Sequence, residues 1–129
     1  MASQVDGPCI TVVLGEAVTA EHTLIKLVSG LGYLTGGVAS EDNTVLGTAE
    51  QTGSAGDSIR IRVINCVASS KVKITSTVSK GANVYTAASG LGSSTGTSLT
   101  RVGVALEAAT ATNDVIQVAH VAGGNDDLT

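Results

Sequence analysis

An eight-residue phrase occurs twice in this chain: Ser29-Gly30-Leu31-Gly32-Tyr33-Leu34-Thr35-Gly36 returns as Ser89-Gly90-Leu91-Gly92-Ser93-Ser94-Thr95-Gly96, with six of the eight positions identical. A match of that length in 129 residues is the trace of an internal repeat. Such a repeat constrains the fold strongly, because both copies must take up the same local structure. The correspondence continues on either side. Val18-Thr19 answers Val78-Ser79, Leu46-Gly47-Thr48-Ala49 answers Val102-Gly103-Val104-Ala105, and Asp57-Ser58-Ile59 answers Asp114-Val115-Ile116. Two pseudo-repeats follow, over about residues 18–65 and 78–121. In each, an apolar run with β-branched residues enters a Gly-rich turn, a second apolar run follows, and a small-residue loop leads to an Asp that opens an alternating strand. Gly30, Gly32, Gly90 and Gly92 are expected at positive-φ or close-approach positions in hairpin turns, where only glycine fits without steric cost. A G-x-G pair also occurs in phosphate-binding loops. Here the spacing is G-x-G-x-x-x-G and no periodic helix follows to offer N-terminal amides, so the dinucleotide reading fails.

The length fits one domain with a real core. That core lacks aromatic mass: Phe and Trp are absent, and Tyr33 and Tyr85 are the only aromatics. Val, Ile, Leu and Ala must supply it, at roughly 1.5–3 kcal/mol for each fully buried Val, Leu or Ile. A chain built this way gains from association, and a homo-oligomer is expected. With 43% hydrophobic and only 14% charged residues, the composition describes a packed, strand-rich domain and argues against disorder. A net charge of −4 with seven cations and no stacking aromatics around them argues against nucleic acid as a partner. No apolar run approaches a membrane span, and Met1 to Ile10 lacks the pattern of a secretory signal, so synthesis in the cytoplasm in soluble form is expected. Cys9 and Cys66 have no C-x-x-C spacing; they fit two small buried hydrophobes, with a single disulfide as the alternative.

Along the chain, residues 1–9 read as an extended N-terminal arm, residues 10–121 as a single β domain and residues 122–129 as a mobile acidic tail. The clearest strand is Ser58 to Ile64, with Ile59, Ile61 and Val63 on one face and Arg60 and Arg62 on the other. Lys71 to Thr75 repeats the alternation, with Val72 and Ile74 inward and Lys71 and Lys73 outward. Asn65 to Ser70 is expected to join these two strands as a hairpin loop. Ser40 to Asn43 is expected as a turn, and Ala105 to Ala111 has the composition for one short helical turn.

Little in the sequence points to catalysis. His22 and His120 stand in no metal-ligand spacing, no Ser has a visible base, and the acidic pairs Glu41-Asp42 and Asp126-Asp127 sit in polar loops where solvation explains them. No metal, cofactor or small-molecule substrate is expected. The one constellation to weigh is basic: Arg60, Arg62, Lys71 and Lys73 are four of the seven cations, and the alternation sets all four opposite the apolar face. If the two strands paired, like charges would adjoin, at a cost in stability unless an acidic surface lay opposite.

The ordered set Gly56-Asp-Ser-Ile-Arg-Ile-Arg-Val63, Lys71-Val-Lys-Ile-Thr75, Gly81-Ala-Asn-Val-Tyr-Thr-Ala-Ala-Ser-Gly90, Val102-Gly-Val-Ala-Leu-Glu-Ala-Ala109 and Asp114-Val-Ile-Gln-Val118 resembles the capsid cement, or decoration, proteins of tailed bacteriophages. The resemblance covers most of the chain after Cys9. It implies a mainly-β subunit, a small β-barrel or β-sandwich, that forms homotrimeric knobs on the outer face of an assembled head. It further implies contact with the major capsid protein, virion localisation, no enzymatic activity and no cofactor. Arg60, Arg62, Lys71 and Lys73 are then candidate capsid contacts. The competing reading is a β-rich binding module, an adhesin or carbohydrate-binding piece of a phage fibre. Sugar binding favours exposed aromatic platforms, and two Tyr supply few.

Overall fold

The computed structural model describes residues 9–36, 39–42, 44–64, 68–94 and 100–120. Residues 1–8 of the expected 1–9 arm, the tail over 122–129, and Cys66 with its pairing all lie outside the described residues, and Cys9 itself opens the first strand. Among the described residues, ten strands form two five-stranded antiparallel sheets in a sandwich-like arrangement, not a closed barrel. The first sheet holds β1 (Cys9–Val13), β2 (Leu24–Val28), β3 (Leu31–Leu34), β4 (Val45–Ala49) and β5 (Ser58–Val63) in the order β1-β5-β4-β2-β3. The second holds β6 (Ser69–Lys73), β7 (Asn83–Thr86), β8 (Gly92–Ser93), β9 (Arg101–Ala105) and β10 (Val115–Ala119) in the order β6-β10-β9-β7-β8. Strand for strand, the orders are the same. Just beyond the first strand of each unit the chain touches the far edge of its own sheet at one isolated parallel bridge, Leu14 with Gly32 in the first and Ile74 with Gly92 in the second.

The duplication extends into the cores. Val12, Leu14, Val18, Ile25, Ala49, Ile59 and Ile61 are buried in the first sheet. Val72, Ile74, Val78, Val84, Ala105, Ile116 and Val118 occupy the corresponding places in the second. The asymmetry lies at Leu24, which is fully buried and joins the second sheet's core. Its counterpart at the start of β7 is Asn83, which is exposed. One unit therefore inserts an apolar side chain into the next, and the other presents a polar one.

The repeated phrase is a turn followed by a strand. Ser29 and Gly30, with φ of 52° and 82°, form the two-residue turn between β2 and β3, both in the left-handed region that a tight hairpin requires. Ser89 and Gly90 (φ 61° and 74°) turn the chain between β7 and β8. Gly32 and Gly92, expected within the turns, lie beyond them in β3 and β8. Their role is close approach to the core: a Cβ on Gly32 would stand 3.0 Å from Val12 Cγ1, and one on Gly92 would stand 2.9 Å from Val84 Cγ1. The Asp residues that open β5 and β10 also match. Asp57 accepts from the Ser54 amide, and Asp114 accepts from the amides of Thr110 and Ala111. These donors hold the Asp114 carboxyl below the usual carboxylate range.

Three local expectations are corrected. The strands at Ser58 and Lys71 do not form a hairpin: β5 lies between β1 and β4, with Arg60 opposite Thr11, whereas β6 is an outer strand paired with β10, with Lys71 opposite Gln117. The like charges are thereby removed from one another's ladder. The chain turns helical for one turn, α1, at Ala39–Asp42. Residues 106–109 are not helical; after a bend, Ala109 pairs with Val78 as Gly53 pairs with Val18, so the small residues there serve the strand framework.

Candidate capsid-contact surface

The four cations separate into one pair that converges and two residues that do not. Arg62 at the end of β5 and Lys71 in the middle of β6 line a single cleft of about 310 Å³ at the seam between the sheets, together with His22, Glu50, Ser69, Ser70 and Gln117. Lys73 lines a different groove, beside Thr23, Leu34 and Ser89. Arg60 lines neither; its amide donates to the Gln51 side chain. Arg60 and Lys71 are exposed, Arg62 and Lys73 half-buried. Neither Arg62 nor Lys71 is in an ion pair among the described residues.

The seam owes its shape to backbone contacts between the two units. His22 has a φ of 68°, and its carbonyl accepts from the Lys73 amide at 2.9 Å, which draws β6 against the first sheet. Farther along, the Gly90 amide donates to the Thr35 carbonyl at 3.0 Å and the Thr35 hydroxyl donates to the Ala87 carbonyl at 3.0 Å. The His22 Nδ1 is buried without a hydrogen-bond partner among the described residues.

Behind the cleft lies a contact that the sequence did not suggest. Ser70 Oγ and His120 Nε2 are 2.5 Å apart, and His120 Nδ1 is 3.0 Å from the Val102 carbonyl. A carbonyl only accepts, so Nδ1 carries the proton, and Nε2 accepts from the serine hydroxyl. A hydroxyl on an oriented imidazole is the arrangement of an activated nucleophile. Ser70 is only 3% exposed, and the pair acts as a clamp joining β6, β9 and the end of β10. Burial pulls the His120 pKa below its ordinary value of 6.5, against the raising effect of the Val102 bond, and the Arg62 charge pulls the same way as burial. The unfolded chain therefore takes up a proton more readily than the folded one. The clamp's contribution is complete above about pH 6.5 and is lost as pH falls through the depressed folded pKa. Melting curves from about pH 7 to pH 5 should show a loss of Tm that His120→Gln abolishes. An equal loss in the variant would assign the acid sensitivity to other groups.

The Glu41-Asp42 pair, expected in solvent, is divided. Asp42 is fully buried; its carboxylate accepts from the Gly36 amide and the Thr86 hydroxyl and faces the Lys26 ammonium at 3.4 Å. Glu41, two-thirds exposed, stands 3.9 Å from the same ammonium. Asp42 thus ties α1 to β2 of its own sheet and to β7 of the other. Among the described residues, no group of three His, Cys, Asp or Glu side chains is placed to hold a metal ion.

Comparison with known proteins points in one direction. No curated protein sequence matches the chain. Among solved structures, the N base of the head fiber gp8.5 of bacteriophage phi29 shares the fold, with a TM-score of 0.64 at 19% identity, over 88% of this chain and 92% of that one. The family model described as phage cement protein matches residues 10–120, which span both sheets from β1 to the His120 clamp, and the chain belongs to that family.

Proposed function

We propose that this protein binds the outer surface of an assembled phage head as a homotrimer and stabilises the closed shell. Membership of the cement family makes it a structural protein of the phage virion, and the observation that carries the finer reading is the extent of the match, which takes in the whole two-sheet unit. The fold likeness to the base of a head fiber supports a surface position on the head. In this reading the protein is made in the host cytoplasm and meets the major capsid protein after the shell has formed. The aromatic-poor cores leave Val13, Val28, Leu106 and Val115 more than two-fifths exposed, apolar area that contact with other subunits would cover.

Stabilisation follows from mass action. A ligand that binds the assembled lattice and not its separated subunits adds about 2.7 kcal/mol per site at a hundredfold excess over its dissociation constant. Mixed with purified empty heads, the protein should co-sediment to saturation at a fixed ratio to the capsid subunit, and decorated heads should survive heating that opens bare ones. Light scattering on the free protein should give a trimer mass. Failure to co-sediment at any concentration would defeat the reading. A monomer mass that becomes threefold clustering on heads would place trimer formation on the lattice.

A further inference from the structure

We propose that the seam cleft receives a single carboxylate side chain from the head protein, clasped between Arg62 of one sheet and Lys71 of the other. The inference rests on the head-attachment reading and names the chemistry of the contact. Three observations carry it. First, the fold does not need these two charges. The duplication places Ala119 where the first unit has Arg62, and Thr11 where the second has Lys71, and both units fold alike. Second, the charges are unpaired: they line one cleft from opposite sheets, neither in an ion pair among the described residues, and like charges held together cost stability until an anion joins them. Third, the cleft is built for one negative charge. Glu50 shares its wall, so Arg62, Lys71 and Glu50 together carry a single net positive charge, and a polyanion would meet both Glu50 and a protein of net charge −4. The guanidinium of Arg62, a half-buried residue, offers a planar fork that matches a carboxylate bidentately, and Lys71 supplies a point charge from the opposite wall. Because the two cations belong to different sheets, an occupied cleft braces the seam.

The test measures attachment of the full-length protein to purified empty heads by sedimentation across a salt series. Arg62→Gln and Lys71→Gln should each raise Kd by about tenfold or more and flatten its salt dependence, and the double variant should lose little beyond the worse single one, since both cations share one carboxylate. Arg60→Gln and Lys73→Gln make the same charge change outside the cleft and should shift Kd less than about twofold. The free cleft variants should melt at or slightly above the wild-type Tm, since a repulsion is removed. Heads whose carboxylates have been amidated with carbodiimide and methylamine, and remain intact by electron microscopy, should no longer bind the wild type. Normal attachment of both cleft variants overturns the proposal and leaves head attachment standing, whereas a wild type that ignores heads overturns both. Equal losses from all four variants would reveal a diffuse basic field instead of a clasp. If inorganic phosphate raises the Tm of the wild type but not of the double variant, while both attach equally, the cleft is a small-anion site and the proposal falls.

Discussion

Replacing Gly47 by alanine should destabilise the protein by about 3 kcal/mol or more and lower Tm by at least about 10 °C. The cause is a close approach between strands. A Cβ on Gly47 would stand 1.9 Å from the Arg62 carbonyl oxygen and 2.7 Å from its carbon, both rigid backbone atoms. The approach has a local origin. Between β2 and β4 the register shifts, Ile25 facing Gly47 and Lys26 facing Val45, so that Leu46 is passed over. Such a bulge bends its strand, and the bend drives Gly47 into β5. The second unit repeats the device: Val84 faces Gly103, Tyr85 faces Arg101, Val102 is passed over, and a Cβ on Gly103 would stand 2.1 Å from the Ala119 carbonyl oxygen. Gly103→Ala should therefore cost a similar amount. Gly30→Ala is the control: its φ of 82° sits in open space, with nothing within 4 Å of the added carbon, and the cost should stay near 1 kcal/mol. Urea unfolding of the three variants decides the matter. Equal losses at Gly47 and Gly30 would mean that the strand contact relaxes freely.

The correspondences of Gly47 with Gly103 and of Asp57 with Asp114 were legible in the letters because geometry forces them: a bulge pressed against a carbonyl admits only glycine, and an Asp caps its loop through backbone amides. The strands that open each unit were not legible in this way. Cys9-Ile-Thr-Val-Val and Ser69-Ser-Lys-Val-Lys share only Val12 with Val72, since that position faces the core while the others answer to different surroundings. Without that match, Lys71 to Thr75 looked like the partner of its sequence neighbour. Only the pairing of Cys9–Val13 with β5 and of β10 with β6 separates them.

The candidate surface was half legible for the same reason. Alternation within a strand identifies which cations face away from the core, so Arg60, Arg62, Lys71 and Lys73 could be grouped. Which of them meet depends on how two sheets join, and that is fixed by contacts such as Thr35 with Ala87 and Gly90, more than fifty residues apart. His120 and Ser70 are likewise fifty positions apart, brought together by the β6 and β10 pairing. Long-range pairings of this kind have no local signal.

Asp42→Ala should be the most damaging side-chain truncation outside the apolar cores, at about 3–5 kcal/mol. In sequence, Asp42 stood in a polar cluster indistinguishable from an exposed loop. In the structure it is fully buried, with the Gly36 amide at 3.0 Å, the Thr86 hydroxyl at 2.8 Å and the Lys26 ammonium at 3.4 Å. Removing the carboxylate strips an acceptor from the buried Thr86 hydroxyl and from the Gly36 amide, and leaves Lys26, whose side chain is only 12% exposed, with Glu41 at 3.9 Å as its one carboxylate partner among the described residues. An uncompensated charge near the interior costs far more than the intact pair contributes. Asp42→Asn keeps the shape and one carbonyl acceptor but not the charge, and should fall between the wild type and alanine. The double change Asp42→Ala with Lys26→Met should recover part of the loss, because it removes the stranded ammonium along with its partner. Urea unfolding of all three variants checks this order. A cost below about 1 kcal/mol for Asp42→Ala would return the residue to an exposed loop. A double variant no better than the single one would show that the loss arises from the Gly36 and Thr86 bonds, and hence from the tie between α1 and the second sheet rather than from the ion pair.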